Sequence, residues 1–165
     1  MENTIDILAF SEYLVNHFNY YQEPITNKKL QKLLYYIQGW HLAYLKTPLF
    51  DATLEAWVHG PVYPSVYNKF KSFQFQPLCI TNEEPSLNSL AVDIRRFDLT
   101  SNQQDLINSV LNHYGGKSAF ELEMRSHNEK PWLEAREGLS DIDLSQNQIN
   151  IATMKSFFES KLQEK

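Results

Sequence analysis

The segment His127-Asn-Glu129-Lys-Pro131 has the residue types and spacing that come nearest to a reactive centre. A His-x-Glu pair followed by proline is half of the zinc deaminase signature, in which histidine binds the metal and glutamate transfers protons. The other half is Pro-Cys-x-x-Cys, whereas Pro131 is followed by Trp132 and the single cysteine, Cys79, lies far upstream. The pattern therefore favours a structural role, in which His127 and Glu129 fix a turn between two helices and Trp132 fills the core beneath it.

Two other histidines stand in positions that invite a catalytic interpretation. His59 precedes Gly60-Pro61, but no Ser-His-Asp or Cys-His pattern accompanies it. His41 falls on the apolar face of a predicted helix, where a hydrogen-bonded core histidine is commoner than a ligand. A small hydrolase that uses His59 or His127 is therefore the last-ranked alternative.

The segment Gly115-Gly116-Lys117-Ser118 has the letters that end a phosphate-binding loop. In the motif G-x-x-x-x-G-K-[ST], the first glycine would fall on Leu111, and the preceding residues are predicted to be helical and not a strand. Glycines that end one helix and a serine that caps the next explain the same letters. We predict no catalytic residue, no metal and no cofactor.

The composition indicates a globular protein that binds another protein. The chain has 165 residues, enough for one sizeable core, and residues 1–165 are predicted to form a single domain. Aromatic residues make up 13% of the chain, an excess that favours an exposed contact surface. The net charge of −5 and the lack of a basic cluster disfavour nucleic acid as a partner. No apolar run approaches the ~20 residues that span a bilayer and the first residues lack a basic signal, so we expect a cytoplasmic protein.

Hydrophobic spacing predicts a mainly α fold built around one central helix, with a short β element. Apolar residues spaced three and four apart predict a helix that begins at Thr26 or Asn27 and ends near Lys46, before Pro48. This helix is apolar nearly all round, so it should be central and buried. The other predicted helices cover residues 6–18, 64–72, 101–113, 118–126, 131–136 and 148–162.

Short extended segments are expected between these helices. A strand pair is predicted within residues 49–58, around 51–53, and two extended pieces are predicted at 78–80 and 90–92, flanking a polar loop. Gly60 should adopt a backbone angle that a β-carbon resists, and Pro64 should open the following helix.

The tyrosines and tryptophan near the central helix are the predicted partner-binding residues. Buried phenol groups would need hydrogen-bond partners, so part of this cluster is expected at the surface. The residues are Tyr35, Tyr36, Trp40, Tyr63 and Tyr67.

Taken together, these segments resemble the Panacea domain family, the SocA-like and GepA-like proteins met in prophages and toxin–antitoxin pairs. The resemblance covers most of the chain, from about residue 14 to residue 158. It rests on the following matches: Lys32-Leu33-Leu34-Tyr35-Tyr36 with Gly39-Trp40; Pro48-Leu49-Phe50; Glu55-Ala56-Trp57-x-x-Gly60-Pro61-Val62-x-Pro64-x-x-Tyr67; Leu122-x-x-x-x-His127-x-Glu129-x-Pro131-Trp132-x-x-Ala135; and Met154-x-x-Phe157-Phe158.

The resemblance implies a mostly helical antitoxin that neutralises a co-encoded toxin by direct protein contact and is not an enzyme. A related mode of action in this family is that of a proteolytic adaptor, which delivers its toxin to a AAA+ protease. A further alternative is a prophage-associated regulatory protein that has no toxin. The motif residues at 55–64 and 127–132 are expected to be structural: Glu55, Trp57, Gly60, Pro61, Pro64, His127, Glu129, Pro131 and Trp132.

Overall fold

One long helix organises the fold, and the remaining elements pack around it. The computed structural model describes residues 3–80 and 83–164 of the chain. Within these residues it contains eight α-helices and one two-stranded sheet, which confirms the mainly α prediction. The elements are α1 (Ile7–Tyr20), α2 (Asn27–Leu45), β1 (Glu55–Trp57), β2 (Gly60–Val62), α3 (Pro64–Phe70), α4 (Leu87–Arg95), α5 (Ser101–Tyr114), α6 (Ala119–His127), α7 (Lys130–Ala135) and α8 (Ile151–Leu162).

The central helix α2 has the ends that the sequence predicts. The Thr26 hydroxyl accepts a hydrogen bond from the Lys29 backbone N–H, and Lys46 ends the helix in the left-handed conformation with φ of +70°. The helix contacts α1, α3, α5, α6, α8 and β2. The prediction of a central, buried helix is therefore confirmed.

A glycine in α2 allows the last helix to pack closely against it. The ring of Phe158, in α8, lies where a β-carbon on Gly39 would be, so the two cannot coexist without a shift. Phe158 is 1% exposed and packs edge-on against Tyr35, Tyr36 and Trp40. This contact fixes α8 across the aromatic half of α2.

The β element differs from the prediction in its position. Residues 51–53 form no strand, and the hairpin is instead β1 paired antiparallel with β2, with Glu55 opposite Val62. The segment before the hairpin pairs elsewhere, because the Leu54 carbonyl accepts a hydrogen bond from the Ile149 N–H at 2.8 Å. The predicted strand pair within residues 49–58 is therefore wrong in its pairing: β1 falls in that range, but its partner is β2, which follows it in the chain.

The extended piece predicted at residues 90–92 is also wrong, because these residues lie in helix α4. Ser86 and Ser89 form a reciprocal capping box at its start, which fixes the first turn as helical. Residues 78–80 form no strand, although the Leu78 N–H donates to the Ile25 carbonyl. Residues 81 and 82 of the predicted polar loop lie outside the described residues. Among the described helices, none has the length and apolar character that crossing a membrane requires.

Candidate partner-binding site

A buried lysine lies beneath the hairpin. Lys32 is 1% exposed, and its Nζ donates a hydrogen bond to the Pro61 carbonyl at 3.2 Å. Gly60 has φ of +113°, and a β-carbon there would collide with the Lys32 side chain. Residue 60 therefore requires glycine both for its backbone angle and for the space that the lysine occupies.

The charge of this lysine is costly in the folded state. Burial lowers the pKa of Lys32 to about 7, and the nearby Glu123 carboxylate only partly opposes this effect. Glu123 itself forms an ion pair with Lys28, and the ring of His59 lies 3.4 Å from the same carboxylate. The hairpin folds over Lys32 and removes its side chain from solvent.

The tryptophans of the two motif segments are hydrogen-bonded to each other across the hairpin. Trp57 donates from its indole nitrogen to Glu55, at 2.8 Å, and its backbone carbonyl accepts from the Trp132 indole, also at 2.8 Å. Trp132 is 3% exposed, and the ring of His127 stacks on it with centroids 4.1 Å apart. Pro64 is the first residue of α3. Pro131 is buried near the start of α7.

Glu129 lies at the start of α7 and turns its carboxylate toward α2. Its Oε1 accepts hydrogen bonds from the hydroxyls of Tyr35, at 3.0 Å, and Tyr36, at 3.1 Å. Burial raises the pKa of Glu129 to about 7, because desolvation disfavours the charged form. The hydrogen bonds from the two phenols and the charges of the more distant Arg125 and Lys161 favour the charged form, but their combined effect is smaller. None of the described basic side chains forms an ion pair with this carboxylate.

Three of the five predicted contact residues are core residues. Tyr35, Tyr36 and Tyr63 have no exposed surface, so the expectation that they contact a partner is wrong for this fold. The physical reason is that Glu129 supplies the hydrogen-bond acceptor that two of the phenols need in order to be buried. Tyr67 is half-buried and packs against Trp57 with ring centroids 4.9 Å apart.

Trp40, the remaining predicted contact residue, lies at the floor of a surface groove. Its indole nitrogen donates to the hydroxyl of Tyr114 at 2.9 Å, which fixes both rings. We call this feature the aromatic groove; it has a volume of about 620 Å³ and lies between α2, α5, α6 and α8. Its lining includes Trp40, Tyr114, Met124, Arg125, Glu129, Phe157, Phe158 and Lys161.

The aromatic groove combines apolar walls with a few fixed charges. Arg125 lies over the Tyr114 ring at 5.9 Å, and Lys161 lies over the Phe157 ring at 5.3 Å. A smaller depression extends from Trp40 to Tyr44 and Leu106. The groove and this depression form one continuous surface that presents aromatic rings to solvent.

Comparison with known proteins assigns the chain to a family. A family model described as antitoxin SocA-like, Panacea domain, matches residues 30–133. This chain belongs to that family. The matched residues extend from α2 to α7, so they contain the buried lysine, the hairpin and Glu129. The predicted resemblance is confirmed.

A curated relative supports the same assignment. Antitoxin SocA of Caulobacter vibrioides (strain NA1000 / CB15N) is 38% identical to this Panacea-family chain over 69 residues. That match covers 42% of this chain and 37% of the length of the relative. No solved structure matches the chain.

Several groove residues of this Panacea-family protein were not identified from the sequence. Met124 and Arg125 fall on unspecified positions of the motif between Leu122 and His127, and Lys161 lies beyond the family match. The available signal was the i, i+4 pair of apolar residues Phe120 and Met124 in α6, which are both exposed. The described residues contain no group of three or more His, Cys, Asp or Glu side chains that could hold a metal ion.

Proposed function

We propose that this protein is an antitoxin that neutralises a co-encoded protein toxin by direct contact and catalyses no reaction. Family membership and the name of the Caulobacter relative support the antitoxin role. We propose further that residues 1–165 act as one cytoplasmic domain. The contacts of α2 with both α1 and α8 support this, because they join distant parts of the sequence.

The observation that carries the proposal is the exposed apolar surface at the aromatic groove. Met124 is 44% exposed and Tyr44 is 49% exposed, and Trp40 lies between the groove and the depression beside Tyr44. Aromatic and methionine side chains are enriched at the centres of protein interfaces. Trp40 is held rigidly by Tyr114, so it would lose little side-chain entropy when a partner covers it.

The engagement of the candidate catalytic groups supports a non-enzymatic role. His41 is buried, and its ring nitrogens contact the Thr47 carbonyl and the Gln103 side chain. The ring of His127 stacks on Trp132, with ring centroids 4.1 Å apart, and the exposed ring of His59 lies 3.4 Å from the Glu123 carboxylate. These are contacts of histidines that stabilise the fold.

Co-expression with the product of the adjacent gene tests the proposal. The wild type should rescue growth and co-purify with that product. Met124→Lys places a charge in the aromatic groove and should weaken the complex about 30-fold, the loss expected for a central contact. Phe75→Lys is the matched control, because Phe75 is 93% exposed and lies outside the groove.

The two variants separate failure of the surface from failure of the function. Both should have the wild-type circular dichroism spectrum and melting temperature, since both side chains are exposed. Full rescue and wild-type affinity of Met124→Lys would reject the aromatic groove as the contact surface. Failure of the wild type to bind or rescue would reject the antitoxin role itself.

A further inference from the structure

The aromatic groove contains a carboxylate without a cationic partner. Glu129 lines the groove, and only its Oε1 accepts the two tyrosine hydrogen bonds. The two basic side chains of the groove, Arg125 and Lys161, lie over Tyr114 and Phe157 and stabilise the Glu129 charge from a distance without pairing with it. None of the described lysines, arginines or histidines lies within ion-pair distance of Glu129.

The walls around this carboxylate are suited to a cation. Lysine and arginine side chains combine an apolar stem with a charged end, so they pack along aromatic surface while the charge meets an acceptor. The groove offers the partly exposed rings of Trp40 and Phe157, and Glu129 belongs to the same lining. A cationic occupant would stabilise the charged form of Glu129, which burial disfavours, whereas a neutral occupant would not.

We propose that the aromatic groove binds one lysine or arginine side chain that projects from the protein partner and pairs with Glu129. The proposal rests on the proposed function, because it identifies the chemistry by which the toxin would be recognised. The apolar surface at Met124 and Tyr44 contacts the residues that flank this side chain. The chain's net charge of −5 favours approach of a basic segment.

Small cations test the groove without any knowledge of the partner. The probes are ethylguanidinium and butylammonium ions, with propylurea as the neutral control of similar size. The nuclear magnetic resonance signal of the Trp40 indole N–H is the readout, and Trp57 and Trp132 provide internal controls. The two cations should shift the Trp40 signal saturably at millimolar concentrations and leave the other two unchanged.

Glu129→Gln removes the charge but keeps an oxygen that accepts from Tyr35 and Tyr36. This variant should lose the cation-dependent shift, whereas Glu137→Gln, an exposed site outside the groove, should retain it. An equal shift with propylurea, an unchanged shift in Glu129→Gln, or no saturable shift with either cation would overturn the proposal.

The toxin complex gives an independent result. Glu129→Gln should bind the adjacent-gene product at least about tenfold more weakly than the wild type, and Glu137→Gln should bind equally well. If Met124→Lys abolishes binding while Glu129→Gln binds at wild-type strength, the groove is the contact surface but recognises no basic side chain. In that case this inference fails and the proposed function stands.

Discussion

Glu129→Gln should make the stability of the protein less dependent on pH. Burial raises the pKa of the Glu129 carboxyl from its ordinary 4.5 to about 7. Between these values the folded protein keeps a proton that the unfolded chain has released. The protonated carboxyl therefore contributes its full stabilisation below the unfolded-state pKa, and this contribution is lost as the pH rises through the folded-state pKa. Glutamine is neutral at every pH and still accepts a hydrogen bond from a tyrosine. The stability of the variant should therefore not decrease over this pH range through residue 129.

The size of the effect follows from the two pKa values. The pKa of the Glu129 carboxyl is 4.5 in the unfolded chain and about 7 in the folded protein. This difference lowers the unfolding free energy by about 2.5 kcal/mol between about pH 5 and about pH 8. Lys32 acts in the opposite direction, because burial lowers its pKa and the folded state releases its proton first. The difference between wild type and Glu129→Gln isolates the carboxyl, since Lys32 is present in both.

Urea denaturation at the two pH values measures this difference. The unfolding free energy of the wild type should fall by about 2–3 kcal/mol more than that of Glu129→Gln between about pH 5 and pH 8. Glu137→Gln, at an exposed site, should follow the wild type. Equal pH dependence of the wild type and Glu129→Gln would refute the conclusion that this carboxyl is desolvated in the folded state.

Three further substitutions test the core of the fold. Gly39→Ala should destabilise the fold by about 1–2 kcal/mol, because the cost of overpacking against α8 exceeds the gain in helix propensity. Gly116→Ala is the control and should not destabilise the fold, because a β-carbon there meets open space. Between about pH 7 and pH 9 the unfolding free energy of the wild type should rise by about 2 kcal/mol more than that of Lys32→Met. The reason is that Lys32 releases its proton near pH 7 in the folded protein and near pH 10.5 in the unfolded chain. Trp132→Ala should cost about 3–5 kcal/mol and Leu133→Ala, which is exposed, much less. Urea denaturation measures all three effects. A wild-type denaturation midpoint for Gly39→Ala or Trp132→Ala would contradict the packing described. The burial of Lys32 would be contradicted if the unfolding free energy of Lys32→Met changed with pH as that of the wild type does.

Local signals in the sequence were sufficient for most of the helices. Thr26 as an N-cap and Pro48 beyond the C-terminus defined α2, and the helix predicted at residues 101–113 is α5, which Thr100 and Gln103 cap. The extended piece at residues 90–92 was predicted wrongly although the opposing signal is local, the Ser86 and Ser89 capping box. Leu54 pairs with Ile149, almost a hundred residues away, and no local pattern indicates that contact.

The candidate site could be predicted only in part, for the same reason. Tyr36 is buried because its hydroxyl meets Glu129, which lies 93 residues further along the chain. The sequence identified both residues but not their contact, so Tyr36 was assigned to the surface. Trp40 lines the aromatic groove, and its contact role stays a prediction.

Hydrogen–deuterium exchange of the protein with and without the product of the adjacent gene would test the contact surface most directly. That partner should slow exchange in α6 around Met124, in the second half of α5 and in α8 around Phe157, since these segments line the aromatic groove. The hairpin at residues 55–62 should exchange at the same rate in both samples. Protection confined to the hairpin or to α3, with no change in α6 and α8, would contradict recognition through the groove.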